Sequence, residues 1–285
     1  MRLSSWISSL VCICPVWLAA QQLDLRSEQP SEDLWNFREA FIAANNITAI
    51  EIELEEKKSN QAIRSTGRTT RYHFSSDGAL EAVSTYRTLF GRKDTILEKF
   101  GLTENDRLTL YERNDRRGIY QEKYTYGVDS VRIRRFRGEE ESENLAFISS
   151  ELLVRSTTDN GYVRTTYNED GLPYLEERYV FEDGYLKSIT ERYIVSKRTS
   201  TTRLHYNEQG RLHYVIQEDG NTSLEWSYEY TNDGLLKRSY HRKDGKGVWK
   251  RELLHSGSGY ISAVVTKDEQ SEDIQIERFT YEFED

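Results

Sequence analysis

From residue 160 onward the chain is punctuated by turn dipeptides at near-regular intervals. They are Asn160-Gly161, Asp170-Gly171, Asp183-Gly184, Asp219-Gly220, Asp233-Gly234 and Asp244-Gly245, with Gln209-Gly210 and the glycines at 257 and 259 completing the series. Gly reaches positive φ at no steric cost, and Asp or Asn tolerates it next best, so each pair marks a tight hairpin. Spacings of roughly ten to fourteen residues, apart from one of 26 between Gly184 and Gly210, leave strands of about six to ten, the signature of an antiparallel meander. Within Thr222–Tyr230 the alternation is plain: Leu224, Trp226, Tyr228 and Tyr230 share one face, and Ser223, Glu225, Ser227 and Glu229 the other.

The same logic extends upstream. Ile50, Ile52 and Leu54 alternate with glutamates, Tyr72 to Tyr86 forms a hairpin around Asp77-Gly78, and Leu108 to Tyr126 forms another hairpin pair. In the last strand Ile274 and Ile276 are out of phase with Phe279, Tyr281 and Phe283, which predicts a β-bulge near Glu277-Arg278. Before the strands, Leu34, Phe37, Phe41 and Ala44 recur on one helical face, with Ser31 as N-cap and Asn45-Asn46 at the C-terminus. No Pro/Gly/Ser linker divides the chain. The expected fold is all-β: a single antiparallel meander of many hairpins, an open or curved sheet, with one N-terminal helix. The expected organisation is a signal peptide over 1–20, a polar segment and helix over 21–46, and a continuous hairpin domain over 47–285.

Residues 1–20 differ from the rest, with Arg2 their only charge and an apolar run from Leu10 to Ala20. This predicts a secretory signal cleaved after Ala20 and an exported protein, periplasmic, cell-surface or extracellular. Both cysteines, Cys12 and Cys14, fall inside it, so the mature chain would have no disulfide, zinc-thiolate site or thiol nucleophile. With 48 Asp+Glu against 39 Lys+Arg the formal charge is -9, which disfavours nucleic acid as a partner. A mean hydropathy of -0.77 disfavours a polytopic helical membrane protein, and no transmembrane span is expected after cleavage.

Four turns place an aromatic residue four positions before Gly: Phe74-Ser-Ser-Asp-Gly78, Tyr167-Asn-Glu-Asp-Gly171, Tyr206-Asn-Glu-Gln-Gly210 and Tyr230-Thr-Asn-Asp-Gly234. A hairpin of this kind pairs Tyr206 with Leu212 and Tyr230 with Leu236, an aromatic-aliphatic staple at its base. The pattern Tyr-Asn-x-x-Gly-Arg-Leu at 206–212 resembles the YD repeat of the RHS family of bacterial extracellular and cell-surface proteins, with partial copies at the other three turns. The tyrosines at 167, 206 and 230 stand 39 and 24 apart, a departure from a regular array. The resemblance implies an exported, Tyr-rich hairpin repeat of a Gram-negative bacterium that works by binding. A second likeness, of architecture alone, is to the lipoprotein-carrier fold, which also sets an N-terminal helix against a curved antiparallel sheet.

Chemistry-bearing groups are sparse. His205 and His213 fall opposite each other if the Gly210 hairpin is regular, a weak candidate metal pair that lacks a third ligand. His73, His241 and His255 stand isolated. Arg132, Arg134, Arg135 and Arg137 precede Glu139, Glu140, Glu141 and Glu143, which suggests an internally paired hairpin with a solvated loop. Ser256-Gly-Ser258-Gly lacks the nucleophile-elbow spacing, and Gly245-Lys-Gly247 is too short to cradle phosphate. No cofactor and no enzyme class is specified. The aromatic supply is the remaining functional feature, with Tyr214, Trp226, Tyr228, Tyr230 and Trp249 as candidate ligand-binding residues. The expected function is therefore a non-enzymatic extracytoplasmic module for an envelope glycan or a protein partner. The alternative is a lipid or lipoprotein carrier whose curved half-barrel is closed by the helix, and the third reading is a glycan-active hydrolase.

Overall fold

The computed structural model describes residues 35–89, 92–103, 107–139 and 144–284. The expected signal segment, the expected N-cap Ser31 and the acidic residues 140–143 lie outside them. Among the described residues one helix, α1 (Glu39–Ala44), precedes eighteen strands. These are β1 (Ile47–Lys57), β2 (Arg64–Phe74), β3 (Leu80–Leu89), β4 (Arg92–Leu102), β5 (Leu108–Asp115), β6 (Gly118–Tyr126), β7 (Ser130–Gly138), β8 (Ala146–Thr158) and β9 (Gly161–Tyr167). The second half comprises β10 (Pro173–Glu182), β11 (Tyr185–Tyr193), β12 (Thr199–Tyr206), β13 (Leu212–Asp219), β14 (Thr222–Tyr230), β15 (Leu236–Lys243), β16 (Lys246–His255), β17 (Ile261–Asp268) and β18 (Ile274–Phe283).

Each strand pairs antiparallel with the next, as a meander should. The expected open or curved sheet is nevertheless wrong, because the sheet closes into an 18-stranded barrel: Ile52 of β1 faces Thr70 of β2 on one side and Phe279 of β18 on the other. Closure removes the two unpaired edges that a long meander leaves exposed. The edges fit each other chemically. Ile50 and Ile52 meet Tyr281 and Phe279, while Glu55 on the opposite face of β1 accepts a hydrogen bond from Arg278 at 3.0 Å.

The predicted bulge at Glu277-Arg278 is also absent, since Ala263, Val264 and Val265 face Arg278, Glu277 and Ile276 in unbroken register. The phase change has a different cause. Ile276 lies on the outer wall and Phe279 on the inner one, so both faces of β18 carry apolar residues.

Residues Glu39–Ala44 form the described helix, shorter than the 31–44 span expected, and Asn45 closes it by donating from Nδ2 to the Phe41 carbonyl at 2.8 Å. Phe37, Phe41 and Ile42 bury themselves against Ile50, Tyr72, Val83, Leu253, Val264 and Phe279, which identifies that face of the sheet as the concave one. The Phe37 ring meets Tyr72, Phe74 and Phe279 edge-on, and Phe41 meets Tyr260. The helix therefore fills part of one end of the barrel, on the side of β1–β3 and β15–β18. The turn at Gly78 packs so tightly on it that a Cβ there would lie 2.2 Å from the Glu39 carbonyl oxygen.

The aromatic hairpins form as the sequence predicts, with Tyr206 opposite Leu212 and Tyr230 opposite Leu236. Three of the four motif turns, at Gly78, Gly210 and Gly234, sit at the helix end, and the Gly171 turn lies at the opposite mouth. The His255–Ile261 turn repeats the same backbone pattern, with Ser256 donating to Tyr260 and Gly259 to Ser256.

Candidate functional site

Strand alternation sorts the side chains onto two walls. The outer wall is studded with cross-strand ion pairs, among them Arg71–Glu282 (2.6 Å), Arg203–Glu218 (2.5 Å), Arg192–Glu176 (3.2 Å) and Arg238–Glu252 (2.9 Å). Barrels that cross membranes instead present an uncharged apolar belt to lipid. The inner wall has three parts: the apolar bed of the helix, a row of aromatic and cationic groups on β14–β16, and a network of tyrosines, carboxylates and arginines on β4–β10.

The aromatic row follows from register. Trp226 faces His241, and His241 faces Trp249. The Trp226 and His241 rings stack with centroids 4.9 Å apart and planes 5° apart, and Trp249 lies 5.4 Å beyond. Arg251, two residues along β16 and so on the same face, holds its guanidinium 4.7 Å from Trp249 and 5.0 Å from Trp35. Trp35 in turn donates from Nε1 to Glu277 at 2.8 Å, tying the N-terminal segment to β18. Burial lowers the Arg251 guanidinium and the His241 imidazole below their ordinary values. Among the described residues no hydrogen-bond partner reaches either buried ring nitrogen of His241, and that burial disfavours the imidazolium. Burial pushes the Tyr228 phenol up to about 12, and Arg251 opposes it.

In the second network each carboxylate is hydrogen-bonded to tyrosine, arginine or both. Glu122 accepts from Tyr120 (2.6 Å), Tyr124 and Arg135 (2.9 Å). Glu151 accepts from Arg135 (2.9 Å) and Tyr174 (2.7 Å). Arg164 grips Glu177 with two 2.7 Å bonds, and Tyr111 donates to Glu98 at 2.5 Å. Burial alone would raise Glu122 and Glu151, but these donors outweigh it and hold both below the usual carboxyl range. A glycosidase acid needs the reverse, a carboxyl kept protonated near neutral pH. This network is built for rigidity.

Of the candidates chosen from sequence, Trp226, Tyr228 and Trp249 converge on the inner wall. Tyr230 joins the apolar packing at the helix end, where its hydroxyl donates to the Leu212 carbonyl. Tyr214 does not join them, because it pairs with Ser227 on the outer wall and stacks on His205 at 4.1 Å. The expected His205–His213 juxtaposition fails for a local reason. A register shift between His205 and Tyr206 sets Tyr214 opposite His205 and leaves His213 exposed at the irregularity. The described residues hold no group of three or more His, Cys, Asp or Glu side chains arranged for a metal. The arginine block also divides, with Arg135 inside on Glu122 and Glu151, and Arg132 and Arg134 outside. Sequence reading passed over His241 and Arg251, although each shares the strand phase of a tryptophan: Arg251 is two residues from Trp249, and His241 faces it.

Fold and site together define a closed antiparallel barrel with a charged exterior, a polar interior and an internal helix at one end. No protein-family model matches the chain. No curated protein matches it either. Among solved structures it is similar to a porin-like protein from Bacteroides uniformis, with 12% identity and a TM-score of 0.41 over 84% of this chain and 97% of that one. It is similar to TcdB2-TccC3-TEV, with 12% identity and a TM-score of 0.30 over 74% of this chain and 15% of that one. It is also similar to the LolA superfamily protein NE2245 from Nitrosomonas europaea, with 8% identity and a TM-score of 0.21 over 85% and 87%.

Proposed function

We propose that the protein is an exported, non-enzymatic binding barrel that takes a hydroxyl-rich ligand, an envelope glycan, against the inner wall of β14–β16. The observation that carries this reading is the cross-strand row Trp226, His241, Trp249 and Arg251 within an otherwise polar interior. Aromatic rings offer flat apolar contact to sugar faces, and the flanking polar groups supply hydrogen bonds. The carrier alternative is disfavoured, because the apolar part of the wall is filled by the chain's own Phe37, Phe41 and Ile42, and the rest bears Arg135, Glu122, Arg164, Glu177 and Gln217. An acyl chain would desolvate those groups at considerable cost. The ion-paired outer wall supports a barrel that stands in water in the periplasm or beyond.

The test is tryptophan fluorescence and calorimetry of the full chain with soluble peptidoglycan fragments and lipopolysaccharide-derived oligosaccharides. Saturable binding that disappears in a folded Trp226→Ala variant supports the reading. Absence of binding across the panel, or binding indifferent to Trp226→Ala, overturns it.

A further inference from the structure

At the mouth opposite the helix, β1–β4 line a half-open cavity of about 570 Å³ bounded by Leu54, Glu56, Arg64, Arg68, Arg87, Asp94 and their neighbours. Arg68 and Arg87 lie directly opposite each other across the β2–β3 ladder. Their strand phase is that of Leu54 and Thr85, so both belong to the inner wall. Like charges at directly opposed positions destabilise a sheet. Four other inner-wall arginines have carboxylate or aromatic neighbours: Arg135 has two carboxylates, Arg164 has Glu177, Arg155 lies 4.0 Å over the Tyr162 ring, and Arg251 lies between two tryptophans. Among the described residues no carboxylate or aromatic ring does the same for Arg68 or Arg87. Two carboxylates line the cavity, but each is engaged elsewhere: Glu56 accepts Arg64 at 2.7 Å, and Asp94 accepts Arg116 at 2.6 Å although its backbone faces Arg87.

The local backbone is shaped to bring these groups together. The register shifts after Leu54, with Gly67 in the left-handed region at φ 68°. The shift turns Thr66 so that its hydroxyl donates to the Leu54 carbonyl at 2.7 Å and accepts from the Arg68 amide at 3.2 Å. The Ser65 hydroxyl accepts from the Gly67 amide at 3.1 Å and so holds the bulged turn. Leu54 and Ile96 give the cavity an apolar side.

We infer that this cavity is a binding site for a phosphate-class oxyanion, with Arg68 and Arg87 clamping the anion from adjacent strands. Guanidinium forks match the geometry of such anions, and charge-assisted bonds are about twice as strong as neutral ones. The volume leaves room for an organic group on the phosphate, resting on Leu54 and Ile96. The site is separate from the aromatic row and does not depend on the glycan reading.

The test uses inorganic phosphate and glycerol 3-phosphate, followed by calorimetry and thermal unfolding of the full chain, with Arg68→Gln, Arg87→Gln and the outer-wall variant Arg203→Gln. The site predicts saturable binding with Kd of about 1 mM or tighter, weakened at least about tenfold by either inner substitution and unchanged by Arg203→Gln. It also predicts that in phosphate-free buffer Arg68→Gln melts no lower than the parent, since it relieves a repulsion, and that phosphate raises Tm of the parent but not of this variant. Binding that is absent, non-saturable or indifferent to both inner substitutions overturns the inference, as does a phosphate-induced Tm rise that persists in Arg68→Gln.

Discussion

The Tyr230 hydroxyl donates to the carbonyl oxygen of Leu212 at 2.6 Å, reaching from the base of one hairpin to the base of the one before it. The same bond recurs around the helix end. Tyr206 donates to Leu186 at 3.0 Å, Tyr281 to Ile261 at 2.7 Å and Tyr126 to Leu108 at 2.9 Å, and His255 Nε2 lies 2.8 Å from the Leu236 oxygen. The aromatic residue of the repeat therefore staples its own hairpin through the ring and the preceding hairpin through its polar tip. Tyr230→Phe keeps the first function and loses the second. It should cost about 1 kcal/mol in chemical denaturation, as should Tyr206→Phe, and the double variant should be near the sum.

Gly78 and Gly171 occupy equivalent turns, both in the left-handed region, at φ 89° and 76°. Nothing lies within 4 Å of a Cβ built on Gly171, whereas one on Gly78 would strike the backbone of α1 at Glu39 and Ala43. Gly171→Ala should therefore cost only the conformational penalty, about 1 kcal/mol. Gly78→Ala adds a clash that backbone cannot relieve by rotamer change, so it should cost more than about 2 kcal/mol and loosen the helix. Comparing the two melting curves and the protease sensitivity of the segment around Phe37 tests both expectations.

Those two turns also mark what the sequence made legible. Asp-Gly spacing and alternation located hairpins such as Tyr72–Tyr86 and Leu108–Tyr126 because turn chemistry and strand phase are local properties. Closure was not legible, because it depends on the accumulated twist of eighteen strands and on Ile52 finding Phe279 more than two hundred residues away. After closure the glutamate face of β1 meets a cation on each flank, Arg71 of β2 beside Glu51 and Arg278 of β18 beside Glu55. The His205–His213 pairing failed at the same scale as a one-residue register shift, which reassigns every facing pair beyond it. The aromatic site was half legible. Alternation placed Trp226 and Tyr228 together, but His241 and Arg251 enter only once β15 and β16 are in register.

Ion pairs on the two walls should behave differently on mutation. Arg203 and Glu218 are each 49% exposed, so Arg203→Ala should change stability by less than about 0.5 kcal/mol. Arg135 is 24% exposed and serves two carboxylates, so Arg135→Met leaves Glu122 and Glu151 without their shared cation. The expected loss is about 2 kcal/mol, below that of a fully buried pair because water reaches the lumen side. Urea unfolding of both variants at neutral pH checks the contrast.

Acid should act through the same network. Glu122 and Glu151 are held below the ordinary carboxyl value of 4.5 in the folded barrel, so the unfolded chain binds protons first as pH falls. Their contribution is complete above that value and is lost as pH drops through the folded values. Glu122→Gln should lower stability at neutral pH and flatten its dependence on pH below 4.5. Melting temperatures across an acid series in constant ionic strength measure both effects.

Alkali should reverse the direction. Burial first, then the bond to Glu122 and its charge, pushes the Tyr120 phenol up to about 12 against the opposing Arg135, and burial pushes Tyr228 equally high. A tyrosine in the unfolded chain ionises near 10.0, so the folded state is fully favoured below that pH and loses this advantage as pH rises toward 12. Absorbance titration of phenolate should therefore show an exposed class ionising first and a second class appearing together with loss of the folded circular-dichroism signal. Tyr228→Phe removes one member of the second class without emptying its place against Arg251. It should reduce the slope of stability between pH 10 and 12, while an exposed tyrosine variant such as Tyr193→Phe should leave that slope unchanged.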